Sequence, residues 1–173
     1  FGVVMPAMPG HDASPEASVG FGQKEAGIVT AIARELAPRR VVLLGVSLGG
    51  AAVWQAAGSH PELYAAVATE GTYPTFSEAM DRFLGRLPGP GFLKAPVVTF
   101  ARWESGIDPA AQRPIDGARA WAKTGKPALV AHGDADELFP VEYGRRMAEA
   151  ADCPLWIVPG ARHAYVDETD HAG

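Results

Sequence analysis

The run VVLLGVSLGGAAVWQAA, residues 41–57, constrains the fold more than any other stretch of the chain. Val41, Val42, Leu43 and Leu44 suit a buried strand, and the alanine-rich continuation after Gly50 suits a helix. Between them, Gly45, Gly49 and Gly50 surround Ser47 and leave the backbone free to turn sharply. A strand that re-emerges as a helix through a glycine turn is the start of a βαβ unit, whose next strand runs parallel to the first.

Other short apolar runs follow the same rule, at residues 3–5, 64–69, 128–131 and 155–158. Most are β-branched or continuously apolar rather than alternating, as expected of strands buried on both faces of a parallel sheet. The segments between them carry helical spacing. Ile28, Val29, Ile32 and Leu36 form one stripe in residues 25–36, which Pro38 ends, and Gly144, Met147, Ala148 and Ala151 form another in residues 141–151. This alternation predicts a doubly wound, mostly parallel α/β sheet with its ligand site at the carboxyl ends of the strands. Residues 72–114 interrupt it. Met80, Phe83, Leu84 and Leu87 give a helical apolar face before the turn-rich LPGPGFLKAP, and Phe76, Phe92, Phe100 and Trp103 lie in the same stretch. The reading is a lid-like helical insertion beside a substrate pocket, inside one domain spanning residues 1–173.

Composition narrows the class of partner. A net charge of −5 without a Lys/Arg cluster argues against nucleic acid and against a polybasic membrane surface. No apolar run is long enough for a membrane span. The single cysteine, Cys153, has no partner for an intrachain disulfide, which makes a reducing cytosol the default compartment. The chain opens on Phe1, and FGVVMPAMPG reads as a strand already under way, so the natural N-terminus is expected upstream, with any targeting signal.

The chemistry centres on Gly45-Val46-Ser47-Leu48-Gly49, a G-x-S-x-G turn between strand and helix. A serine hydroxyl is a weak nucleophile until a base removes its proton, and that base needs a carboxylate to orient it and stabilise its positive charge. The strand at 128–131 runs into HGDADELFP and the strand at 155–158 into PGARHAY, which brings Asp136 and His163 to strand-end loops on the Ser47 edge. Asp134 and Glu137 flank Asp136, with Asp134 the reserve for its role. His60 and His132 read as structural, His11 lies on an early loop, and His171 in the polar tail is a distant second to His163. A dinucleotide site fails on spacing, because GVSLGG lacks G-x-G-x-x-G.

These motifs together resemble the α/β-hydrolase superfamily, in particular its serine esterases and prolyl-oligopeptidase-like members. His132, Gly133, Asp136, Phe139 and Pro140 fit the pattern H-G-x-x-D-x-x-[VF]-P, and Pro159, Gly160 and His163 fit a P-G-x-x-H-type loop. MPAMPGHDAS, residues 5–14, is similar to the family's D-x-R-G-x-G-x-S loop, with Ala7, Pro9 and Asp12 departing from it. DPAAQRPI, residues 108–115, resembles the family's return from lid to core.

The resemblance implies a Ser47, Asp136 and His163 triad, with the Leu48 N–H as one oxyanion-hole donor and no metal or organic cofactor. It also aligns residues 3–5 with the family's fourth strand. The strands before it, the loop carrying the second oxyanion donor, and the helix after the histidine are then not among these residues, a hydrolase fold truncated at both ends. Either the chain belongs to a longer one, or residues 2–5 pair directly with residues 41–44. The 173 residues alone are accordingly expected to be poorly active or unstable. The expected reaction is hydrolysis of a small carboxylic ester through an acyl-enzyme. Peptide or amide cleavage on the same fold, or a non-catalytic hydrolase-fold binding protein, are the alternatives. Oligomeric state is not legible.

Overall fold

A computed structural model describes residues 2–11, 14–15, 18–86, 96, 99–100, 103 and 106–164. Its elements follow in the order α1 (Gln23–Glu35), β1 (Val41–Val46), α2 (Leu48–Ser59), a 3-10 turn (Pro61–Leu63), β2 (Tyr64–Glu70), α3 (Phe76–Gly85), a second 3-10 turn (Pro109–Ala111), α4 (Pro114–Ala122), β3 (Ala128–Gly133), α5 (Val141–Ala151) and β4 (Leu155–Val158). The four strands form one parallel sheet in the order β1-β2-β3-β4. The parallel α/β architecture expected from the strand and helix periods is therefore present.

Register decides which side chains meet the helices. Leu43 pairs with Val67, Gly45 with Thr69, and Thr69 in turn with Val130, so these residues share one face. On that face Leu43, Val67 and Val130 pack with Val29 and Ala33 of α1, Trp54 of α2, Trp121 of α4 and Met147 of α5 in the main core. The helix stripe of α1 is rotated from its expected position. Ala26, Val29, Thr30 and Ala33 are buried while Ile28 and Ile32 are only partly so, because Thr30 reaches the Tyr64 hydroxyl at 3.2 Å and small residues let α1 approach α2. The opposite sheet face carries Val42, Leu44, Leu129 and Trp156, all exposed among the described residues, so these strands are not buried on both sides as their composition suggested.

Residues 3–5 also differ from expectation. They form no strand, and Val3 and Met5 are 76% and 89% exposed. A strand is stable only as part of a ladder. Here residues 2–8 run alongside β1 without joining it, across a cavity of about 450 Å³ walled by Val3, Val4 and Met8 on one side and Val41 to Leu44 on the other. Direct pairing of residues 2–5 with 41–44 does not occur. Within residues 72–114, α3 is formed as expected, but Phe83 points outward and Phe76, Ala79 and Leu84 are the buried positions; Leu87 and Phe92 lie outside the described residues.

Two contacts hold this frame together. In α2 and α4, helix backbones touch: a Cβ on Gly117 would lie 2.2 Å from the Trp54 carbonyl oxygen. Glu78 of α3 pairs with both terminal nitrogens of the Arg146 guanidinium on α5 and accepts from Thr75, the N-cap of α3. The Arg146 hydrogen bond holds the Glu78 carboxyl below its ordinary range.

Gly117→Ala should separate α2 from α4 and cost about 1–3 kcal/mol, read as a lower midpoint in chemical denaturation. For Glu78, a lowered folded value means that its contribution is fully present above the usual carboxylate range and is lost as pH falls through the lowered value. Glu78→Gln should therefore melt lower than the parent at neutral pH and lose less on acidification through and below the usual carboxylate range, followed by thermal denaturation across that range.

Candidate active site

The site is built where the parallel ladder runs out. One step past the last β1–β2 pair, the Ser47 N–H donates to the Glu70 carbonyl at 2.9 Å, and past β2 the Gly71 N–H donates to Ala131 at 3.1 Å. These rungs carry strand geometry into the loops, so the carboxyl ends of β1, β2, β3 and β4 present their loops on one edge.

Ser47 lies between β1 and α2 with φ 52° and ψ −116°, a conformation that costs an ordinary residue about 1–3 kcal/mol. The neighbours give way to it. A Cβ on Gly45 would come within 2.5 Å of the Gly49 carbonyl oxygen, and one on Gly50 within 2.8 Å of Thr72. Thr72 donates its hydroxyl to the Ser47 carbonyl at 3.1 Å and ties the turn to the residues after β2.

Ser47, His163 and Asp136 are brought into one chain of hydrogen bonds. The Ser47 Oγ lies 3.0 Å from His163 Nε2, and His163 Nδ1 lies 2.8 Å from Asp136 Oδ2. A carboxylate only accepts, so Nδ1 carries the proton and the neutral ring offers a bare Nε2 to the hydroxyl. Asp136 has a side chain only 1% exposed, and its other oxygen accepts the Leu138 and Phe139 N–H groups at 2.8 Å each, so the buried carboxylate is fully satisfied. The Phe139 ring meets the His163 ring edge to face at 5.2 Å and fixes its plane.

The flanking acids do other work. Asp134 accepts the Gly160 N–H at 2.6 Å, and Glu137 accepts the His163 N–H at 3.3 Å while pairing with Arg162 at 3.0 Å. Both clamp the loop after β3 to the loop after β4. The Glu137 backbone N–H, the Arg162 guanidinium and the His163 N–H together hold the Glu137 carboxyl down at about 2. His60 pairs with Glu62 at 3.4 Å at the far end of α2, and His171 lies outside the described residues.

A cavity of about 430 Å³ opens at Ser47, walled by Ala7, Met8, His11, Glu25 and Leu48. Leu48 opens α2, so its N–H is one of the helix's first four and has no partner within the helix. Glu25 is 2% exposed and accepts the Gly20 and Gly22 N–H groups at 2.7 and 2.8 Å. Sequence reasoning passed over it, although Gly22-x-x-Glu25 at a helix start is the spacing of a capping box. It also passed over Gly71, which has a φ of +54° and sits beside the pair: a Cβ there would lie 3.5 Å from both Asp136 Oδ2 and the His163 ring. Among the described residues no cluster of His, Cys, Asp and Glu is arranged to hold a metal ion, and no helix is long and apolar enough to cross a membrane.

A family profile described as the alpha/beta hydrolase family matches residues 1–172, and the chain belongs to that family. It is an α/β-hydrolase. Many solved structures share the fold, among them the following three. Est1E from Butyrivibrio proteoclasticus, with ferulic acid bound, is 21% identical with a TM-score of 0.70, over 95% of this chain and 71% of its own. The monoacylglycerol lipase of Paleococcus ferrophilus is 23% identical with a TM-score of 0.62, over 95% and 78%. A thermophilic esterase from Thermogutta terrifontis, with malate bound, is 18% identical with a TM-score of 0.63, over 95% and 74%. No curated protein sequence matches significantly.

Gly45→Ala should push the turn away from Gly49. The expected outcome is a Ser47 Oγ beyond hydrogen-bonding distance of His163 in a crystal structure of the variant, with about 1–3 kcal/mol lost in chemical denaturation.

Proposed function

We propose that the protein is a serine hydrolase that cleaves small carboxylic esters through an acyl-enzyme. The observation that carries this reading is the unbroken chain from Ser47 Oγ through His163 to the buried Asp136. In the proposed mechanism Ser47 Oγ attacks the ester carbonyl carbon while His163 Nε2 takes its proton, and Asp136 stabilises the imidazolium. The Leu48 N–H donates to the oxyanion that forms. As the tetrahedral species collapses, the C–O bond to the alcohol breaks and His163 returns the proton to the leaving oxygen. A water then gives its proton to His163 and its hydroxide to the acyl carbon, releasing the acid and restoring Ser47.

The apolar walls of Ala7, Met8 and Leu48 suit an uncharged acyl or alcohol group, and an esterase and a lipase among the structural neighbours support ester chemistry. The insertion beginning at α3 is proposed to shape the far wall. Its Phe76 packs with Tyr73, which in turn meets Phe139 beside His163, and the chain returns through the Phe76 N–H to the Gln112 carbonyl at 2.9 Å.

The test is fluorophosphonate treatment of the full chain with the adduct located by mass spectrometry. Labelling is expected on Ser47 and lost in Ser47→Ala, and Asp136→Asn should lower kcat by about 10⁴. An adduct elsewhere, or one that survives Ser47→Ala, overturns the assignment. A panel of acyl esters and aminoacyl amides tests the bond cleaved, and turnover of amides alone would overturn the ester reading.

A further inference from the structure

We propose that His132, at the end of β3, is a positioning residue for the reaction: its Nε2–H anchors the turn that holds Asp136 against His163. This rests on the reading of Ser47, His163 and Asp136 as the reacting chain.

His132 is wholly buried, and its Nε2 lies 3.1 Å from the Phe139 carbonyl oxygen. A carbonyl only accepts, so Nε2 carries the proton. The same nitrogen stands 3.5 Å from Asp136 Oδ2, the oxygen that faces His163. Phe139 is thus fixed at both backbone atoms, its carbonyl by His132 and its N–H by Asp136 Oδ1, and its ring lies edge-on to His163. Loosening that carbonyl removes one of the two backbone anchors of the residue that touches both Asp136 and His163.

Packing alone does not explain a histidine here. In the neutral ring Nδ1 is a buried acceptor, and among the described residues it has no hydrogen-bond partner. An apolar side chain would fill the volume without leaving a buried polar atom unpaired. What the imidazole adds is the donor on its other nitrogen. Gly144 of α5 leaves room for the ring in that orientation, since a Cβ there would lie 2.8 to 2.9 Å from the His132 Cβ, Cγ and Nδ1.

The charged groups acting on His132 are Asp136 and Glu70, which favour its protonation, and His163, which opposes it when charged; Gly144 brings none from α5. Burial outweighs them and holds the imidazole below its ordinary range. His132 therefore stays a neutral donor while His163 works.

The experiment compares pH profiles of kcat and KM for the full chain, His132→Leu and His132→Gln on an ester the parent turns over. Glutamine places an amide N–H where Nε2 stood. In His132→Leu, kcat should fall about 10- to 100-fold with KM within about threefold, because a misplaced catalytic group costs turnover rather than binding. With one donor fewer beside Oδ2, protonation of the Asp136–His163 pair becomes easier, and the low-pH limb of activity should move up by about half a unit or more. His132→Gln should restore both. A folded His132→Leu whose low-pH limb is unmoved overturns the proposal. Imidazole nitrogen NMR of the unmodified chain tests it without a variant: His132 is expected as the Nε2–H tautomer, and an Nδ1–H tautomer overturns it. Failure of fluorophosphonate to label Ser47 sinks the reaction reading instead, whereas labelled Ser47 with an unmoved limb sinks only the role of His132.

Discussion

The hydrogen bond from Ser47 N–H to the Glu70 carbonyl, 2.9 Å long, is the contact on which the site depends. It adds one rung to the β1–β2 ladder at the point where β1 has already begun to turn. Without it the serine would belong to a loop, free to relax out of φ 52° into an ordinary conformation. With it, the backbone is held at both sides: the sheet pins the N–H, Thr72 pins the carbonyl, and α2 starts at once. Strain persists only where the surroundings over-determine it, and here they do.

The same logic of pinning at strand ends places the other two residues. Asp136 is four residues past His132 and His163 is five past Val158, and both loops would be mobile if nothing joined them. They are joined by Gly133 passing against Ala161, where a Cβ would approach the carbonyl oxygen to 2.1 Å, and by the clamps from Asp134 and Glu137. The clamps are exposed and individually weak. Their value is geometric, since they hold the His163 backbone relative to Asp136 and leave the 2.8 Å contact between the two side chains little freedom to lengthen.

What was legible in the sequence follows from how local each determinant is. The meeting of Ser47, Asp136 and His163 could be anticipated because each sits just beyond an apolar run, and a parallel sheet sends all such ends to one edge. Residues 3–5 have the composition of a strand, yet strand formation needs a neighbour at hydrogen-bonding distance, and composition carries no information about that. The stripe of α1 was misread by part of a turn because hydrophobicity ranks Ile28 and Ile32 above Ala26 and Thr30. The packed helix instead buries its small residues toward α2, and Thr30 finds a hydroxyl partner on Tyr64. Glu78 with Arg146, 68 positions apart, and Thr72 with Ser47 meet only through tertiary folding. No local pattern marks such pairs.

The small residues of α2 explain why so strained a turn can be held without a large local core. Ala51, Ala52, Ala56 and Ala57 are buried almost completely, and Gly58 meets Gly117 of α4 backbone to backbone. α2 starts at Leu48 with Ser47 as its N-cap, so its first turn follows the serine without a connecting loop. Trp54 then fills the space such small neighbours leave and donates its Nε1–H to Thr69 at 3.1 Å, one residue before the Glu70 carbonyl that receives the Ser47 N–H. The strained residue is therefore coupled to the main core through two adjacent positions of β2. Anything that thickens the α2–α4 contact also pushes on the backbone that holds Ser47.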